Sequence, residues 1–197
     1  MQKVDLTYLK PLVAHVMQQP YREGEWTVQG FGFLRRYFGP VGDPKRYRLN
    51  LWNNWFSVPD VSTIHDHPWH FKSTIVAGVF CNVRYGLDPN GITHHFTTIK
   101  TGEGGGMEKS PTHEVGLTPM RPELCAPGDV YRQQASEIHE TLFKNGTVTL
   151  NERTPVGDGE HARVFWPFGT DWVDAIPRAA TKAEVTEAVA HSIRKWF

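Results

Sequence analysis

His65-Asp66-His67-Pro68-Trp69-His70-Phe71 places three histidines within six residues, just ahead of the apolar run Thr74-Ile75-Val76-Ala77-Gly78-Val79-Phe80. In extended chain His65 and His67 project from one face, because side chains repeat every second residue along a strand. Two neighbouring imidazoles suit a divalent transition metal. Pro127-Gly128-Asp129 and the downstream His139 offer a third ligand from another strand. Together these segments predict a metal-centred β-barrel. The competing reading is a solvated loop, with Pro68 breaking the strand and the three rings exposed.

A chain of 197 residues is long enough to bury a substantial core in one domain, with the core over roughly residues 26 to 170. Lys plus Arg and Asp plus Glu number 21 each, so net charge gives no reason to expect a nucleic-acid partner. Cys81 and Cys125 are too few for a disulfide framework and are expected as free thiols. Met1 to Gln19 lacks the uninterrupted apolar stretch of a signal peptide, and no run reaches membrane-spanning length. The expectation is a cytoplasmic protein that meets a small-molecule substrate and no membrane; a homodimer is compatible with it.

Leu6, Leu9, Val13 and Val16 recur at helical spacing, which predicts a short helix within residues 5 to 19, restarted at Pro11. Residues 26 to 38 read as one or two strands, and Tyr47 to Trp52 alternates as a half-buried strand would. Asp88-Pro89-Asn90-Gly91 carries turn chemistry between strands at 73–85 and 94–99. The glycine-rich stretch between Lys100 and Pro111 reads as a hairpin tip or loop, and it lacks the ending of a phosphate-binding loop. Short strands continue from Glu123 to Arg153 and at Arg163 to Trp166. Thr181-Lys182-Ala183-Glu184 is a capping box that opens an amphipathic helix over 181–197, expected outside the sheet. Many short strands at regular spacing favour a sandwich or a barrel.

At these residues the chain resembles the cupin superfamily. Its first motif is His-x-His, then an acidic ligand, then glycine; its second is Pro-x-Gly followed by histidine. His65 and His67 match the first two ligands, Gly78 the closing glycine, and His139 the second-motif histidine. Phe71 stands where the acidic ligand belongs, with Lys72 beside it, and ten residues separate Pro127-Gly128 from His139. The resemblance covers roughly residues 48 to 155, and the His-Asp-His-Pro-Trp run looks like that of small bacterial and phage cupin-like proteins. It implies a mainly β fold, a cupin-type double-stranded β-helix or jelly-roll barrel. The three-histidine set is similar to that of the thiol dioxygenases, which use ferrous iron, but no cysteine stands near Phe71 to form that family's thioether crosslink.

Other side chains are candidates for the chemistry. His70 is placed as a fourth ligand or proton relay, and Glu137, at the strand parity of His139, as a ligand or base. Gln133 shares that parity, while Arg84, Arg132, Arg153 and Arg163 are candidates for holding a substrate carboxylate or phosphate. Arg84, Arg132, Gln133 and Arg153 form the expected substrate-binding set, and Asp66 is expected to turn away from the metal. The expected function is a metal-dependent oxidoreductase of dioxygenase type acting on a small polar molecule, with iron(II) favoured over zinc, nickel, manganese or copper. Metal-assisted isomerisation or hydrolysis, and a non-catalytic ligand-binding barrel, are the alternatives.

Overall fold

In the computed structural model, residues 2–101, 107–156 and 161–196 are described. The chain is mainly antiparallel β-structure arranged in two sheets that do not close into one barrel. The first sheet follows the order β1 (Gln2–Lys3), β10 (Asp129–Gln133), β5 (Trp69–Ala77), β12 (Thr147–Pro155), β4 (Tyr47–Ser57), β3 (Phe31–Phe38), β2 (Trp26–Gln29) and β14 (Arg178–Ala179). The second is built around the 22-residue strand β6 (Phe80–Thr101). It pairs with β7 (Met107–Lys109), β8 (His113–Pro119), β9 (Glu123–Cys125), β11 (Ile138–Phe143) and β13 (His161–Pro167).

The two faces of the first sheet have opposite chemistry. Leu34, Leu49, Leu51, Val76 and Val148 project from one face and pack against α1 (Leu9–Gln18) and α2 (Lys182–Trp196) through Val13, Met17, Val185 and Ala188. Each fully buried leucine there contributes about 1.5–3 kcal/mol. The other face carries the alternate residues Arg48, Asn50, Ser73, Thr149 and Asn151, all of them buried. Their hydrogen bonds cross the strands: Asn50 Nδ2 donates to Thr149 Oγ1 (3.1 Å), Trp52 Nε1 to the same oxygen (3.0 Å), and Ser73 Oγ to Asn151 Oδ1 (2.9 Å). The alternation at 47–52 is therefore not that of a half-buried strand. Helices cover the apolar face and the polar face lines the interior.

The capping box is formed: Thr181 N–H donates to Glu184 Oε2 (2.8 Å), and Glu184 N–H to Thr181 Oγ1 (3.3 Å). Pro11 lies in the first turn of α1. Gly78 joins β5 to β6 with φ +85°, and a Cβ there would lie 2.4 Å from Thr147 Oγ1, so only glycine fits. The expected turn at 88–91 is instead a bulge within β6, where Leu117 of β8 stands opposite both Leu87 and Ile92. Its turn chemistry is spent locally, since Asp88 accepts bonds from Asn90 N–H and Thr118 Oγ1, and Gly116 admits the Asp88 carbonyl where a Cβ would lie 2.0 Å from that oxygen. Of the glycine-rich stretch, residues 107–109 form β7, while 102–106 lie outside the described residues. Cys81 and Cys125 are free thiols. Among the described residues no helix is long and apolar enough to cross a membrane.

Candidate metal centre

Ile64 to Asp66 is a short connecting segment that lies between two strands of the second sheet. His65 N–H donates to the His139 carbonyl (2.9 Å) and His139 N–H to the His65 carbonyl (2.8 Å), while Asp66 N–H bonds the Arg163 carbonyl and Phe165 N–H the Ile64 carbonyl. His65 on the segment and His139 on β11 thus form a directly opposed antiparallel pair, whose side chains share a face. His67, two residues on, returns to that face before the chain enters β5. The ring centroids stand 4.7 Å apart for His65–His139, 4.6 Å for His65–His67 and 5.3 Å for His67–His139. One ligand nitrogen from each lies within 4.8 Å of the others, near enough for small side-chain rotations to bring all three to the roughly 2.0–2.1 Å of a metal–nitrogen bond.

The hydrogen-bond network determines which nitrogens carry lone pairs. His65 Nδ1 lies 2.7 Å from the Thr63 carbonyl, which only accepts, so Nδ1 is the protonated position and Nε2 is free. For His139 the logic runs through two amides. Gln133 Nε2 donates to the Glu137 carbonyl (3.1 Å), which turns Gln133 Oε1 toward Asn82 Nδ2 (3.4 Å) and Asn82 Oδ1 toward His139 Nδ1 (2.9 Å). His139 is thereby held with its proton on Nδ1, and its Nε2 is buried without any hydrogen-bond partner. A buried acceptor left unpaired is costly unless something occupies it. The donor set, three imidazoles of which two have oriented lone pairs, is one that divalent transition metals take.

Burial pushes all three imidazoles toward the neutral form. His65 is lowered below the usual histidine range chiefly by desolvation. His67 and His139 fall well below it, through desolvation first and then the charges of neighbouring histidines and arginines. Neutral rings keep the lone pairs that a metal needs.

Asp66, of opposite parity, is buried and turned away. Its Oδ1 accepts from Arg163 N–H (2.6 Å) and its Oδ2 from Arg163 Nε (2.6 Å), which clamps the ligand-bearing segment to β13. Phe71 packs beside the cluster, its ring 5.2 Å from His67 and 6.1 Å from His139. The centre opens into a cavity of about 550 Å³ between the sheets, bounded by aromatic rings such as Phe31, Phe33, Trp52 and Trp69.

Other expected site residues stand elsewhere. His70, three residues from His67, points from the opposite face of β5 and accepts a bond from Ala135 N–H (2.9 Å). Glu137 precedes β11 and follows Ser136, whose φ of 63° breaks the strand parity; its carboxylate closes a turn onto Gln134 N–H (2.7 Å). Arg84 is engaged by Glu123 (2.9 Å) and the Arg132 carbonyl (2.6 Å), and Arg132 points outward to Gln2. Gln133 is 1% exposed and orients Asn82 rather than facing the cavity. Arg153 does line the cavity, with its guanidinium 4.1 Å above the Trp69 ring.

Two positions at the candidate site escaped sequence reasoning. Asn82 is an ordinary strand residue until β11 pairs beside it, and no local pattern marks it. Arg48 lies in the 47–52 alternation, which reads as a half-buried strand and does not show that its polar face turns inward. No protein-family profile matches the chain, and no curated protein matches it.

Proposed function

We propose that the chain is a cupin-type metalloenzyme in which His65, His67 and His139 hold a divalent transition metal, iron(II) first among candidates, and that it oxidises a small polar molecule in the cavity. The observation that carries this reading is the convergence of three neutral imidazoles, two of them oriented by hydrogen bonds and one of those with a buried nitrogen that has no partner. A divalent iron held by His65, His67 and His139 would supply redox chemistry with oxygen as the oxidant. The Thr63 carbonyl and Asn82 orient the ligand rings, the Asp66–Arg163 pair fixes the segment that carries two of them, and the surrounding aromatic rings limit water. The two facing sheets and the Gly78 turn agree with a jelly-roll arrangement.

Metal content should be measured after separate reconstitution with iron(II), zinc, nickel, manganese and copper. A stoichiometric ion that His67→Ala loses, with an affinity fall beyond the 10- to 100-fold typical of residues behind the ligands, supports the centre. Oxygen uptake by the iron form against small thiols, amino acids and phenolic acids tests the reaction class. Tight binding of zinc alone would move the reading to metal-assisted hydrolysis or isomerisation. A protein that stays metal-free in every reconstitution would refute it.

A further inference from the structure

The far part of the cavity gathers positive charge that no carboxylate pairs among the described residues. Arg35 on β3, Arg48 on β4 and Arg153 on β12 all line it, and none of the three makes an ion pair among the described residues. Ladder register brings them together: Tyr37 stands opposite Arg48, and Arg48 opposite Asn151, which precedes Arg153 by two residues on the same face. Arg48 is 7% exposed, and its Nε, like that of Arg153, is buried with no hydrogen-bond partner. Asp66 is the carboxylate in the described lining, and Arg163 already engages it.

Buried arginines elsewhere in the chain are treated differently. Arg36 on β3, 8% exposed, bonds the Val16 carbonyl (2.9 Å), Gln19 (2.9 Å) and Glu25 (2.7 Å). Arg35 has a neutral partner, its Nε donating to Thr27 Oγ1 (3.2 Å), but gathering like charges in a largely enclosed place without a counter-ion is unfavourable by both desolvation and repulsion. The positive potential is strong enough to act on Tyr37: burial alone would raise its hydroxyl, yet Arg48, Arg35 and Arg153 together hold it below the ordinary tyrosine range.

We propose that Arg35, Arg48 and Arg153 form an anion subsite that binds the multiply charged end of the substrate, a phosphate or a dicarboxylate, and directs its other end toward the three histidines. The geometry links the two ends. Arg153 lies over Trp69, and Trp69 in turn stacks on His67 with centroids 5.3 Å apart. Arg153, Trp69 and His67 line one cavity, so a ligand held by the guanidinium has the imidazole cluster within the same enclosed space. Neutral imidazole ligands leave the full charge of a divalent ion uncompensated, which also favours an anionic substrate. The inference rests on reading the cavity as a substrate site, and the subsite itself does not require the metal.

The test uses metal-free protein and two probes, inorganic phosphate and succinate, with binding followed by calorimetry and by melting temperature. At least one probe should bind the wild type, more weakly at high salt, and the stronger probe identifies the class. Arg48→Met and Arg153→Met should each lower that affinity about 10- to 100-fold, as loss of a charge-assisted contact does. In the absence of anion the same variants should melt higher than the wild type, because an unpaired buried charge has been replaced by an apolar chain; structural arginines would give the opposite sign. Arg48→Lys serves should a methionine variant fail to fold, and it should retain weakened binding. Wild-type protein that binds the anion yet takes up no metal in any reconstitution refutes the proposed function and leaves the subsite standing. Binding of neither probe, or affinities unchanged in the arginine variants, overturns the subsite.

Discussion

Asn82→Leu should weaken metal binding without removing any ligand. Asn82 Oδ1 is the acceptor for His139 Nδ1 at 2.9 Å, and that bond is what leaves Nε2 unprotonated. Leucine is close in volume and cannot accept. The ring then either buries an unpaired N–H or shifts its proton to Nε2, where a metal must displace it. Leaving a buried donor unsatisfied costs about 1–3 kcal/mol, which corresponds to roughly 5- to 160-fold in an equilibrium constant. Losses of 10- to 100-fold are typical when the partner behind a histidine ligand is removed. Competition against a chelator of known affinity measures the change directly, with circular dichroism to show that the fold persists. Asn82→Asp is the control, since a carboxylate accepts from Nδ1 more strongly and should hold affinity at or above the wild-type level. Equal metal affinity in Asn82→Leu and wild type would refute the argument that the network determines the His139 tautomer.

Two further outcomes follow from the same residues. The metal-free protein should lose stability as pH falls from 7.5 to 5.5: His65, His67 and His139 are lowered in the folded state, so the unfolded chain binds more protons below about pH 6.5, at up to about 1.4 kcal/mol per pH unit for each histidine. Glu184, which Arg178 holds at about 2, loses its contribution only at much lower pH, so urea unfolding that is flat across this window would contradict the buried neutral imidazoles. Asp66→Ala should cost about 3 kcal/mol, the low end for breaking a buried pair because Arg163 is 29% exposed and can turn to water, and it should weaken metal binding too. A loss below about 1 kcal/mol in chemical unfolding would show that the clamp is not needed.

How much of this was legible depended on whether the signal was local. The period-two spacing of His65 and His67 and the Thr181–Glu184 capping box are local, and both appear in the structure as read. The approach of His139 was recoverable because a second half-motif marked it. Alternation at Tyr47 to Trp52 showed that the strand has two unlike faces, but not which of them meets water, and Arg48 and Asn50 proved to face the interior. Parity counting also failed where backbone geometry intervened, at Ser136 before Glu137 and at the bulge that replaced the turn at 88–91. Sheet closure is a property of all strands together. Two separate hydrogen-bonded orders, rather than one barrel, leave no trace in any single segment.

The bridging segment at His65 also sets a timetable. Asp66 and the Arg163 that clamps it are 97 residues apart, so most of the chain must be made before the segment finds its place. Contacts of such long range form late, after local hairpins have organised. During synthesis His65 and His67 therefore exist first as a loose pair, open to whichever divalent ion is most available and most avid. The third imidazole, with its proton already assigned, arrives afterwards. On the proposed reading, metal choice would depend on the ions present where folding finishes as much as on the finished cage.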